Sequence, residues 1–117
     1  MRNDKENLIV SLTLQFALDI INYCDKLEES RKFVVSNQLL KSGTSIGANV
    51  NEAHNAESKA DFIHKLKIAA KEADETKYWL KLCDLSKHYP EPVGLFEKIN
   101  SIINVLSKII STSKNNP

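Results

Sequence analysis

Glycine and proline are scarce in this chain, with three of each among 117 residues, and two of the prolines, Pro90 and Pro92, fall in one short stretch. A sheet protein of this length needs many turns, and turns draw on these residue types. The scarcity therefore favours long uninterrupted helices. Cysteine is rare as well. Cys24 and Cys83 stand far apart, each on an apolar helical pattern, which points to buried free thiols in a reducing compartment rather than to a disulfide or a metal pair. The formal net charge is only +1, whereas a dedicated nucleic-acid binder shows a clear basic excess. Residues 1–30 carry three basic and six acidic side chains and the remainder thirteen and nine, an asymmetry that a solvated surface accommodates without any partner. No segment approaches the roughly 20 apolar residues of a membrane span. The run Leu8–Leu18 is a poor signal-peptide core, because Asp4 and Glu6 precede it, Gln15 interrupts it and Asp19 follows with no small-residue cleavage site. The expectation is a cytoplasmic chain with no membrane association.

What is present is helical periodicity. Ile9, Leu12, Phe16, Ile20, Tyr23 and Leu27 recur at spacings of three and four and predict a helix from about Asp4 to Leu27. A second stripe beside the first, Val10, Leu14, Ala17, Ile21 and Cys24, means that this helix touches more than one neighbour. Asp25, Glu28 and Glu29 mark a turn, and Ser30 is read as the N-cap of a second helix. That helix is expected over Arg31–Ala53, with Leu39, Gly43, Ile46, Val50 and Ala53 inward and Ser42, Thr44, Ser45, Gly47 and Ala48 around them. Two glycines inside a helix cost about 1 kcal/mol each relative to alanine. Gly43 and Gly47 lie one turn apart and are read as making room for a neighbouring helix, with Asn49 beside them in the packing. A loop through Gly43–Gly47 is the other reading.

After a polar break at His54–Glu57, Ser58 and Asp61 resemble a capping box. A third helix is expected over Ser58–Lys87, its core stripe being Phe62, Leu66, Ala69, Ala73, Thr76, Leu80 and Cys83. Ile68, Glu75, Trp79 and Leu82 lie on another face, apolar where a solvated helix carries charge. They predict a second contact surface, toward the fourth helix or another subunit. Tyr89-Pro90-Glu91-Pro92 stops this helix. A fourth is expected over Val93–Ser111 on Leu95, Ile99, Ile102, Leu106 and Ile109, with the tail TSKNNP frayed. Residues 1–117 thus form one all-α domain, an antiparallel up-down four-helix bundle.

Two patterns in the middle of the chain are specific. Ser45, Ile46, Ala48, Asn49 and Glu52 form S-I-x-A-N-x-x-E, and Ser58, Lys59, Phe62 and Ile63 form S-K-x-x-F-I. Over Gln38–Leu85 the chain resembles the four helix bundle protein family, whose members include the S23-like proteins encoded by intervening sequences of bacterial 23S ribosomal RNA genes. A glycine commonly follows the Glu52 position in that family, where this chain has Ala53 and His54. The resemblance implies a protomer of a ring-like homo-oligomer, a pentamer. A related accessory protein of diversity-generating retroelements shares the architecture and is associated with RNA and a reverse transcriptase. It also implies no enzymatic activity, with nucleic-acid association the usual suggestion.

RNA binding needs cations that track phosphates, preferably with aromatic groups between them. Lys67, Lys71, Tyr78 and Lys81 share one flank of the third helix, interrupted by Asp74, with Arg31 and Lys41 adding charge from the second. An ordinary solvated lysine face is the simpler reading of so short a series, and repetition around a symmetry axis is what makes it matter. The sequence offers no catalytic constellation, no cofactor motif and no metal site. Bundle di-iron sites use paired Glu-x-x-His motifs; the nearest pieces are Asp61-x-x-His64, Glu72-x-x-Glu75 and Glu52. Bundle-type ribonucleases of the toxin class pair an arginine with a histidine five to seven residues later, which neither Arg2 nor Arg31 has. The chain therefore reads as a non-enzymatic homo-oligomer with weak affinity for RNA or a nucleic-acid-binding protein, or else as a protein-binding scaffold that uses the Trp79 face.

Overall fold

Four amphipathic helices satisfy the periodicities just described. The structure, a computed structural model, describes residues 3–116, so Arg2 and the terminal proline lie outside it. The helices are α1 (Asp4–Glu29), α2 (Phe33–His54), α3 (Lys59–Leu85) and α4 (Leu95–Asn115). Each packs on its chain neighbours, and α4 returns to α1, so the four close a cycle around one core in a bundle about 50 Å long. Fully buried Ile9, Phe16, Ile20, Leu27, Leu39, Ile46, Leu66, Leu80, Ile99, Ile102 and Leu106 fill that core, and all of them belong to the inward stripes read from the sequence.

The helix ends differ from expectation at several points, each for a local reason. Ser30 does not cap α2; it closes α1. Arg31 follows with φ 63°. Its N–H donates to Glu28 O at 2.8 Å and that of Lys32 to Leu27 O at 2.8 Å. This pairing is a Schellman-type stop, which glycine usually provides; arginine in its place hid the stop in the sequence. α2 starts at Phe33 with no side-chain cap. α3 ends at Leu85 rather than Lys87, and α4 begins at Leu95 because Gly94, at φ 77°, holds a left-handed turn before it. The tail expected to fray continues α4 through Asn115. At the start of α1, Asn3 and Glu6 form a full capping box that the sequence reading missed. At Ser58 only the hydroxyl's half is made, accepting from the Asp61 N–H at 3.0 Å.

The seam between α1 and α2 is set by Gly43. A Cβ placed there would stand 2.9 Å from Ile20 Cγ2 and 3.0 Å from Cγ1. Ile20 is fully buried, and a β-branched side chain moves Cγ2 only by rotating χ1. The second glycine is less constrained, since a Cβ at Gly47 meets Thr13 Oγ1 at 3.4 Å, an ordinary contact. The region is helical throughout, which removes the loop reading. Across the α2–α3 seam the hydroxyls of Ser42 and Thr76 lie 2.9 Å apart, with Leu39 O and Glu72 O as outer acceptors at 3.4 and 2.7 Å. Small groups bring these helices together as well, and the hydroxyl chain leaves neither buried oxygen without a partner.

The end bearing the α1–α2 and α3–α4 connections is fastened by polar and aromatic contacts. Tyr23 donates its hydroxyl to Pro90 O, and Lys32 Nζ sits 5.0 Å over the Tyr89 ring. Asp19 and Lys98 pair at 2.6 Å between α1 and α4. Both cysteines are free and buried. Burial raises the Tyr23, Cys24 and Cys83 pKa values, and that of Cys24 reaches about 11 even though its hydrogen bond with Ser36 acts to lower it.

Two consequences are measurable. Gly43→Ala gains helix propensity of about 1 kcal/mol but overpacks against Ile20, which costs about 1–3 kcal/mol. It should lower the denaturation midpoint, whereas Gly47→Ala should raise it; equal effects at the two sites would refute the close-approach account. The folded state also holds the Cys24 proton to a higher pH than the unfolded chain does. Stability should therefore be intact below about pH 9 and fall as pH rises toward about 11, with thiol labelling at pH 8 slow in the native protein and fast in urea.

Candidate assembly and nucleic-acid surfaces

The outer surface of the bundle divides into faces of different chemistry. On α3, Lys67, Lys71, Tyr78 and Lys81 are all exposed. At 3.6 residues per turn they fall within an arc of about 80° opposite the core. Lys67 and Lys81 are separated by about 21 Å of helix, which suits an extended chain of phosphates better than a single small anion. Asp74 lies inside the same arc, as expected. The side chain of Lys114 on α4 lies near Lys67, and its proximity and like charge hold the Lys67 ammonium below the ordinary lysine value. Lys114 thus extends the cationic flank onto α4, a cross-helix juxtaposition that periodicity within single helices does not reveal.

The structure does not bring the other two candidate cations to this flank. Arg31 sits in the α1–α2 connection, where its backbone makes the turn. Lys41 lies on the α2–α3 seam, where its charge acts on Glu72. Burial, and then the neighbouring Glu75 carboxylate, raise the pKa of Glu72 while Lys41 opposes them.

The Trp79 face flanks the α2–α3 seam. Ile68, Trp79 and Leu82 are half-buried and Glu75 is exposed. Trp79 packs partly on the protomer's own core, its Nε1 donates to Glu75 at 3.2 Å, and its ring meets Tyr78 edge-on at 5.5 Å. Asn49, half-buried on α2, donates to Ser45 O at 2.8 Å. Asn49 and Glu75 therefore make their hydrogen bonds within their own helices rather than across the seam.

An extended apolar surface lies elsewhere, on α1 and α2. Leu14 is 62 % exposed, Leu18 49 % and Ile21 42 %. With half-buried Val10 and Ala17 they form a strip along α1. Phe33 and Leu40, both exposed, continue it onto α2. Between the two helices runs a shallow groove of about 160 Å³, lined by Val10, Leu14, Ala17, Thr44, Gly47 and Ala48 among others. This strip takes in Val10, Leu14, Ala17 and Ile21 of the second α1 stripe seen in the sequence and adds Leu18, while Cys24 of that stripe is buried. As expected from its two stripes, α1 touches more than one neighbour, packing on both α2 and α4, yet Leu14, Leu18 and Ile21 stay exposed. The same excess apolarity makes α1 long and apolar enough to cross a membrane by length and composition, contrary to the expectation that no segment approaches that limit. In the fold α1 is a core helix, its inward stripe buried against α2 and α4.

Among the described residues no three or more His, Cys, Asp or Glu side chains gather as a metal cluster. The Asp61, His64, Glu72, Glu75 and Glu52 pieces therefore do not assemble into a carboxylate-bridged centre.

Comparison with known proteins follows the same lines. Among curated protein sequences none matches this chain. A crystal structure from Bacteroides thetaiotaomicron VPI-5482, described as a protein of unknown function from the S23 ribosomal protein family, superposes with a TM-score of 0.86 at 43 % identity. The match covers 92 % of this chain and 98 % of that one. The family model for the 23S rRNA-intervening sequence protein matches residues 5–112. That span takes in all of α2 and α3 and most of α1 and α4, and the chain belongs to the 23S rRNA-intervening sequence protein family.

Proposed function

We propose that the protein is a cytoplasmic, non-catalytic homo-oligomer that binds RNA weakly through a cationic flank repeated around the assembly. The observation that carries this reading is the α1–α2 strip. Leu14, Leu18 and Ile21 stand on one face at helical spacing and in the open. Scattered surface apolar residues need no explanation, but a continuous strip along a helix marks a contact.

The occupant we assign is a second copy of the chain, in keeping with the ring-like assembly that the family resemblance implies. The Trp79 edge, with Ile68, Leu82 and Glu75, is a different surface on another side of the bundle. A contact between two unlike surfaces of identical chains is heterologous and propagates until rotation closes a ring. We assign the α1–α2 strip of one copy to the Trp79 edge of the next, and a pentamer as the closed form.

Such an assembly leaves Lys67, Lys71, Tyr78 and Lys81, at the pole of α3, in solvent. A single flank of three lysines and one aspartate binds phosphates feebly, and repetition multiplies its effective affinity without new contacts. The tyrosine adds a stacking surface for an unpaired base.

Both halves of the proposal are open to test. Replacing exposed Leu14 and Ile21 together by lysine should leave helicity unchanged and reduce the particle, measured by light scattering, to a 13.2 kDa protomer. An unchanged size would remove the α1–α2 strip from the interface. Affinity of the wild type for single-stranded RNA should fall linearly on a logarithmic salt scale. Lys67, Lys71 and Lys81 changed to glutamine should flatten that slope by about 2 for each protomer engaged, at roughly 0.7 per phosphate contact. Binding that ignores salt, or no binding at all, would contradict the RNA reading and favour a protein-binding scaffold.

A further inference from the structure

At the opposite end of the bundle from the proline turn, the last residue of α2 faces the first turn of α1. His54 Nδ1 lies 2.9 Å from Val50 O. A carbonyl oxygen can only accept, so Nδ1 carries the proton and Nε2 of the neutral ring carries the lone pair. Nε2 is buried and has no hydrogen-bond partner among the described residues. The polar atom facing it is Glu6 Oε1, 4.0 Å away. The other carboxylate oxygen of Glu6 accepts the Asn3 N–H at 3.1 Å in the capping box, which fixes the carboxylate and leaves Oε1 pointing at the ring. Phe62 meets the imidazole edge-on at 6.0 Å and limits its tilt.

Two electron-pair donors therefore face each other beyond hydrogen-bond reach. Tetrahedral zinc with bonds of about 2.0–2.2 Å holds two ligand atoms about 3.3–3.6 Å apart, so a closure of about half an ångström would bring both onto one ion. The Nδ1–H to carbonyl bond is the support that orients a metal-binding imidazole and fixes its tautomer. An open cleft lined by Glu6, Asn51, His54, Asn55, Lys59 and Phe62 adjoins the pair, so water can complete a coordination shell. Among the described residues lining that cleft Lys59 is the one cation; it is exposed and can extend its ammonium into solvent.

We propose that His54 Nε2 and Glu6 Oε1 form a two-residue site for a divalent transition metal of zinc's borderline character, clamping the start of α1 to the end of α2. Imidazole selects such a metal over magnesium or calcium, which prefer all-oxygen shells. The site is independent of the assembly and RNA surfaces described above.

The test is a calorimetric titration of chelator-stripped full-length protein with zinc chloride at pH 7.5, magnesium chloride serving as the hard-cation control. The expected result is saturable binding of about one zinc per protomer, no response to magnesium, and loss of at least tenfold in affinity in both His54→Gln and Glu6→Gln. Thermal melts in chelator confirm that the variants fold; glutamine at position 6 keeps the capping acceptor. Absence of saturable zinc binding overturns the proposal, as does binding retained by both variants, which would place the metal elsewhere. A melting temperature that rises on acidification with no response to zinc also overturns it, and identifies a proton shared by the pair as the occupant.

Discussion

The approach of α1 to α2 at Gly43 is the constraint from which the rest of the architecture follows. A missing side chain there lets Ile20 sit directly on the α2 backbone. One turn on, Thr13 lies against Gly47 and returns its hydroxyl to its own helix, at 2.8 Å from Ile9 O, so no polar group is stranded in the seam. The next seam repeats the device with Ser42 and Thr76 and with the alanines at 69 and 73, all buried. Helices held this closely by small residues leave little room for large side chains between them. The large apolar residues of α1 are accordingly divided, one stripe inward to the core and the other outward.

That division links packing to the surfaces available for function. A helix lying in a groove between two neighbours buries a face of limited width, and α1 is apolar over a wider arc than α2 and α4 can cover. The remainder, from Val10 to Ile21, is presented outward beside Phe33 and Leu40. On the other side of the bundle α3 is charged at its pole and half-buried at the edge that carries Trp79. Apolar strip, aromatic edge and lysine pole are thus three separate surfaces on one rigid body, which is why assembly and phosphate binding can be assigned without competing for the same residues.

Much of this was legible in the sequence, because the inward stripes follow from periodicity alone. All four helices, and the helical state of the glycine-containing segment, agree with the spacing of Leu39, Gly43, Ile46 and Val50. The ends were less legible where backbone geometry replaced residue type: Arg31 performs a turn usually left to glycine, and neither residue order nor composition records a φ angle. The outward strip was visible as a pattern, but its exposure was not, since a second apolar stripe reads the same whether an intrachain helix covers it or none does. The lysines of α3 were placed correctly on one flank. The contribution of Lys114 and the departure of Arg31 and Lys41 depend on how separate elements sit beside one another. The His54–Glu6 pair spans 48 residues of chain and joins two helix ends, a proximity that no local motif encodes.

The account rests on the open apolar strip being covered by another copy of the chain. Sedimentation equilibrium of the purified wild-type protein tests this most directly. A single species whose mass is a whole multiple of 13.2 kDa, five for a closed pentamer, is the predicted result. A protein that stays at the protomer mass across the accessible concentration range would contradict it.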